Sequence, residues 1–215
     1  MRLLIGVPTL DYVNADFLKC LARLLMKLKG DNIDFDLMIE SGTLVYLARE
    51  RIARKALDDH FTHVLWLDSD MIFNVDILEK LMASGKDFVT GIYHARRKGY
   101  GSCIFKSIEP DIGVERFEEY PEELFQIAAC GFGCVLTSSY LLSNVYLHNN
   151  TCFTPLPWLV EDIAFCKRAT DLGHKLWCEP SVVCGHIGHI AIYPEDHEAW
   201  KKTISNYSEV AKNGS

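Results

Sequence analysis

The sequence predicts an α/β fold, and three observations carry that reading. Up to Tyr93, short apolar runs alternate with segments of helical period, the pattern of a parallel sheet flanked by helices. The third of those runs stops abruptly at two carboxylates, Asp68 and Asp70, separated by one residue. After Tyr93 the pattern changes to glycine-rich turns and short strands, as in a smaller α+β part.

The elements follow in order. Leu3 to Val7 carries no charge and reads as a buried strand. Ala15 to Leu28 places Phe17, Leu18, Leu21, Leu24, Leu25 and Leu28 on one helical face. Phe35 to Ile39, His63 to Leu67 and Asp87 to Ile92 are further strands, separated by helices over Thr43 to Leu57 and Asp76 to Met82. In the second half, Ser102 to Phe105 and Phe125 to Ala129 are short strands, and Gly131 to Thr137 resembles a hairpin. Glu161 to Leu172 is a helix closed by Gly173, a natural C-cap. Lys175 to Cys178 and Val182 to Cys184 are each predicted as a strand, Glu195 to Ala211 as a final helix, and Lys212 to Ser215 as a frayed tail. With no internal repeat, residues 1–215 form a single domain, divided at position 94 by a change of chemistry.

The net charge of −7 over 215 residues, with no basic run beyond His94 to Lys98, argues against a general nucleic-acid binder. Eight cysteines at scattered positions and an opening strand without a secretory segment predict a reduced, cytoplasmic protein. No apolar run approaches the about 20 residues that cross a bilayer, so any membrane association would be peripheral.

Hard divalent cations take several oxygen ligands and share their coordination sphere with phosphate. Asp68, Ser69 and Asp70 at a strand end therefore suit Mn2+ or Mg2+ on a nucleoside diphosphate. The structural alternative is that one of the three caps the next helix. Pro8 and Thr9, at the end of the first strand, would line the same crevice. Glu40, ending the second strand, is a candidate contact for a base or ribose. Arg49 and Arg51, on the following helix, either reach the nucleotide or pair with acids such as Glu50. Arg96, in the basic loop, can neutralise a departing diphosphate, or the loop is simply solvated.

Gly131, Phe132 and Gly133 permit a tight turn or a close backbone approach to a ligand. Trp158 either stacks on a sugar ring or belongs to the core. Glu161 and Asp162 open a helix, where acids are favoured by the dipole, and either can accept the proton of an attacking hydroxyl; Asp162 is preferred. His186 ends a short strand and can complete the metal site of Asp68 and Asp70. Cys178, Cys184, His186 and His189 form a rival set for zinc, although their spacing matches no standard structural pattern.

Taken in order, the segments LWLDSDM, CGFGCVLTS, EDIAFCKRATDLGHKLW and CGHIGH resemble the successive motifs of a GT-A-fold glycosyltransferase, closest to family 2-like members. The resemblance implies a Rossmann-type nucleotide-binding half at 1–93, with a mixed central sheet flanked by helices, and an acceptor-side α+β half at 94–215. It implies a divalent cation on Asp68 and Asp70, with His186 as third ligand. Gly131, Phe132 and Gly133 would border sugar and acceptor, and Asp162 or Glu161 would be the base. The family's Ala-Arg-Asn triplet reads Ala48-Arg49-Glu50 here, and its paired aspartates on strand two are replaced by Glu40 alone. The expected activity is metal-dependent transfer of a sugar from a nucleoside diphosphate sugar, UDP-linked by resemblance, to the hydroxyl of a glycan, protein or small molecule. A zinc-stabilised binding module and a catalytically silent nucleotide- or sugar-binding member of the fold are the alternatives.

Overall fold

The structure, a computed structural model, describes residues 1–96, 99–109 and 113–188. Its chain order is β1 (Arg2–Pro8), α1 (Ala15–Gly30), β2 (Asp34–Glu40), α2 (Val45–Asp58), β3 (His63–Leu67), β4 (Met71–Ile72), α3 (Ile77–Ala83) and β5 (Phe88–Ile92). There follow β6 (Ile104–Glu109), β7 (Gly113–Arg116), β8 (Phe125–Ile127), β9 (Ala129–Cys130), β10 (Cys134–Ser138), α4 (Ser139–Asn149), α5 (Glu161–Asp171), β11 (Leu176–Val183) and β12 (Gly185–His186).

Seven strands build the central sheet in the order β2-β1-β3-β10-β5-β11-β8. The neighbours β2, β1 and β3 are parallel, whereas β10 runs antiparallel to both β3 and β5. The mixed central sheet is therefore present, and the predicted hairpin over Gly131 to Thr137 is instead a turn followed by a strand in the middle of that sheet. Side chains along β3 alternate between the two faces. Val64 and Trp66 join the core beneath α2, α4 and α5, while Leu65 and Leu67 join the core beneath α1 and α3. Trp66, Phe132, Phe153 and Phe165 meet with ring centroids 4.9–5.7 Å apart. Each such ring contributes about 1.5–3 kcal/mol on burial. The one polar atom of Trp66 is satisfied, its Nε1–H donating to Thr137 Oγ1 at 2.9 Å.

Local signals explain the helix ends. Asn14 accepts the Asp16 amide to cap α1, and Lys27 and Lys29 sit in its last turn, where the dipole favours cations. Helix α5 stops at Asp171, and Gly173 follows with φ +86°, a conformation glycine adopts at no steric cost. Helix α4 was not expected, β7 likewise, and the two strands predicted over 175–184 are the single strand β11 with an irregularity between Cys178 and Val183. The helix predicted over 195–211, the tail after it and His189 lie outside the described residues. Among the described residues no helix is long and apolar enough to cross a membrane.

Candidate active site

Strand β3 delivers Asp68 to the carboxyl end of the sheet, next to Pro8 and Thr9 at the end of β1. This is the point where the chain leaves β1 in one direction for β2 and in the other for β3, the usual place for a ligand in such sheets. The amide of Asp68 donates to Gly133 O (3.1 Å), the carbonyl of Ser69 accepts from Asn14 N (3.2 Å), and Thr9 N donates to Glu40 O (2.9 Å). Asp68, Ser69 and Asp70 cap no helix: α3 begins eight residues after Ser69, with Asp76 at its cap position.

Arg49 gathers the acids. It is buried on α2, donating from Nη2 to Asp68 Oδ1 (2.8 Å) and from Nη1 to Glu161 Oε1 (2.5 Å), while its Nε–H is buried without a partner. Burial works against its charge, but the carboxylates of Asp68, Asp162 and Glu161 reverse that and raise its proton affinity. Glu161 and Asp162 occupy the first turn of α5, which has no side-chain cap. Asp162 Oδ1 accepts the Ile163 amide at 2.7 Å. Burial pushes its carboxyl up to about 6; Arg49 opposes the shift and Glu161 adds to it. One guanidinium thus faces three carboxylates, and the raised proton affinity of Asp162 is that of a poised acid or base.

Tyr93, which the motif reading passed over, ties this cluster to the turn Gly131-Phe132-Gly133. It is buried just beyond the end of β5, and its hydroxyl accepts the Gly133 amide at 3.0 Å. A Cβ at position 131 would stand 2.2 Å from Tyr93 Oη and 3.4 Å from Asp162 Oδ2; one at 133 would stand 2.9 Å from Tyr93 Cζ. The two glycines are thus needed to seat this ring beside the acids. Gly131→Ala is expected to lower the unfolding free energy in urea by about 1–3 kcal/mol through overpacking, with Tyr93→Phe in the same chain recovering part of the loss. A local signal for Tyr93 existed in the aromatic directly after an apolar strand, but its partners lie about 40 residues away.

His186 reaches the site through the two-stranded ladder β12-β4, in which it pairs with Met71. Its Nδ1 lies 2.9 Å from the His94 carbonyl, which can only accept, so Nδ1 carries a proton. Nε2 then faces Asp70 Oδ2 at 3.5 Å and requires a second proton or a cation. Contact with Asp70 raises the proton affinity of His186. Burial works against the charge of Asp70, yet His186 and Arg96 hold its carboxyl below the ordinary range. A carboxylate and an oriented imidazole are donor types that would suit Mn2+ or Mg2+, with Asp70 and His186 the residues that would hold it. The three expected ligands nevertheless do not stand as one group, because Asp68 is engaged by Arg49. Among the described residues no cluster of three or more His, Cys, Asp or Glu is arranged to hold a metal. The described members of the zinc set do not gather either: Cys178 and Cys184 are buried in separate cores, on opposite faces of the sheet.

The remaining candidates are placed as follows. Glu40 is paired with Arg51 at 2.5 Å rather than presented to a ligand. Glu50 accepts from the amides of Cys152 and Phe153. Arg96 pairs with Asp70 and borders an open cleft of ≈ 310 Å3 together with His94, Tyr100 and His186. Trp158 is 48% exposed, which excludes a place in the core.

The order of the mixed seven-stranded sheet and the helices flanking it make an α/β fold of the GT-A type. Among solved structures, the chain is similar to GalNAc-T7 with UDP, GalNAc and Mn2+: TM-score 0.60, 11% identity, covering 90% of this chain and 45% of that one. It is also similar to A197 from STIV, with TM-score 0.59, 18% identity, and coverage of 87% of this chain and 86% of that one. At these identities the likeness concerns the fold. The chain thus spans less than half of the GalNAc-T7 chain. No family model and no curated protein matches the sequence.

Proposed function

We propose that the protein is a glycosyltransferase that moves a sugar from a nucleoside diphosphate sugar, UDP-linked by preference, to an acceptor hydroxyl with the help of Mn2+ or Mg2+. The observation that carries this reading is the Arg49 hub, which brings the strand-end Asp68 and the helix-start pair Glu161 and Asp162 into one buried cluster. The GalNAc-T7 structure similar to this chain holds UDP and Mn2+. Residues 1–93 would hold the donor through Pro8, Thr9 and the Asp68–Asp70 turn, and residues 94–215 the acceptor. Free thiols at all eight cysteines suit a reducing, cytoplasmic setting.

In the reaction, Asp162 accepts the proton of the acceptor hydroxyl as its oxygen bonds to the anomeric carbon, and the bond from that carbon to the diphosphate breaks. Glu161 is less suited to the proton, because its carboxylate is already held by Arg49. A direct displacement of this kind inverts the anomeric centre. A cation on Asp70 and His186 would supply positive charge to the leaving diphosphate, and Arg96 lies on Asp70 to add to it.

Thermal unfolding with UDP or GDP, with and without Mn2+, tests the donor half. A nucleotide at a hundred times its dissociation constant stabilises by about 2.7 kcal/mol. A Mn2+-dependent upward shift with one nucleotide is expected, and it should vanish in Asp70→Ala. Asp70 is the cleaner variant, since removing Asp68 also strips Arg49 of a partner. No shift with either nucleotide would refute the donor assignment and leave a silent member of the fold.

A further inference from the structure

Each carboxylate of the Asp68–Asp70 pair is held by its own arginine, and the two arginines are not equally free to leave. The Arg49 side chain is 4% exposed and bonds Asp68 and Glu161 together, so its departure would strand buried charge. The Arg96 side chain is 53% exposed, and Asp70 is its one ion-pair partner among the described residues. Asp70 itself is fixed, its carbonyl accepting the Ile187 amide at 2.8 Å and its Oδ2 facing His186 Nε2 at 3.5 Å. A hairpin after β5 brings Arg96 to it. Tyr93 O accepts the Cys103 amide (3.1 Å), His94 bridges Ser102, and Ala95 N donates to Gly101 O (2.9 Å). The chain turns back through Gly99 and Tyr100, whose φ angles are +101° and +42°. The hairpin also lies against the segment that carries His186: a Cβ at Gly188 would stand 3.0 Å from Arg96 Cβ.

The guanidinium of Arg96 and a divalent cation compete for the same carboxylate. Both need Asp70 Oδ2, and two like charges repel when brought to one oxygen. An ion pair on so exposed a side chain is weak. A diphosphate grips a guanidinium through two oxygens at once, which a single contact on Asp70 does not match. The cleft of ≈ 310 Å3 that Arg96 lines with Tyr100 and Gly185 gives the side chain space to swing off Asp70. Resting on the glycosyltransferase reading, we propose that Arg96 is the resident counter-ion of Asp70, closing it to divalent cations until the diphosphate of the donor takes the guanidinium. Nucleotide and metal then bind cooperatively, because each favours the arrangement in which Arg96 has left Asp70. Asp68, which the buried Arg49 keeps, takes no part in the exchange.

The test is a titration of the whole chain with Mn2+, the free ion being measured by electron paramagnetic resonance, with and without UDP. Without UDP, Arg96→Ala should bind Mn2+ about tenfold more tightly than the wild type. With UDP bound, the gap should close to about twofold or less, since Arg96 has then left Asp70 in the wild type as well. Asp70→Asn added to Arg96→Ala should remove the gain, which ties the Mn2+ to that carboxylate. Arg96 lies on an exposed hairpin, so alanine there leaves the core intact. Equal Mn2+ affinity of Arg96→Ala and wild type without UDP overturns the exchange and leaves the metal assignment standing. A gap that survives Asp70→Asn, or that UDP does not narrow, also overturns it, because plain repulsion would then explain the effect. Mn2+ bound by neither chain, even with UDP, sinks the metal-dependent reading and the exchange with it.

Discussion

Arg49→Met should lower the unfolding free energy by about 3–5 kcal/mol at pH 8, the usual penalty for removing one partner of a buried ionic group. Methionine keeps the length and apolar volume of the side chain, so the loss reports the charge. Asp68 and Glu161 lose their direct donors, at 2.8 and 2.5 Å, and Asp162 loses the cation that opposes its protonation. The deficit should shrink in urea melts at pH 5, where the stranded carboxylates can take up protons. Arg49→Lys should restore only part of it, because an ammonium is a point charge and cannot span two carboxylates as the guanidinium fork does. Equal stability of the methionine variant and the wild type at pH 8 would show that the hub contributes nothing to the fold.

Asp162→Asn should produce opposite changes in activity and stability. As the proposed proton acceptor, Asp162 should account for roughly 10²–10⁴-fold in transfer, measured as sugar transfer or donor hydrolysis, with UDP affinity little changed. Stability should move the other way. The folded-state carboxyl is raised from 3.8 to about 6, so the folded chain binds this proton more tightly than the unfolded one. That contribution is complete below pH ~4 and is lost as pH rises through about 6. At pH 8 the wild type therefore carries a buried charge that asparagine lacks, and the variant should be more stable by about 2–3 kcal/mol, with the gain fading towards pH 4. Asparagine can still accept the Ile163 amide through its carbonyl oxygen. Parallel loss of activity and stability would mark Asp162 as structural. The same proton affinity predicts that wild-type transfer declines as pH falls below about 6.

The parts of the fold that local chemistry dictates were legible in the sequence. His63 to Leu67 is β3 without adjustment, and β1, β2 and β5 differ from their predicted spans by a residue or two, because short, largely apolar runs bounded by polar residues have few other uses. Helix α4 was missed because its apolar residues form no clean stripe; Tyr140 and Leu147 face solvent while Leu141, Leu142 and Val145 are buried. The β4-β12 ladder is two residues long on each side, too short for any periodicity, yet it is what carries His186 to Asp70. In the site, the ends of strands and the starts of helices exposed Asp68, Asp70, Glu161 and Asp162 as candidates. The choice of partner was not local: that Arg49 would take Asp68 and Glu161, and Glu40 would be left to Arg51, depends on residues up to 112 positions apart.

The antiparallel strand β10 has a consequence for how the chain is made. It lies between β3 and β5, and it is synthesised only after some 40 further residues have followed β5. Until Ser138 is out, the middle of the sheet is a gap with two open strand edges, each a template for unwanted pairing. The last strand to enter the centre also completes the base of Asp68, whose amide waits for the carbonyl of Gly133. Residues 1–93 alone therefore leave β3 and β5 without the strand that joins them. A nascent chain gains its crevice late and all at once, when the returning segment closes the sheet.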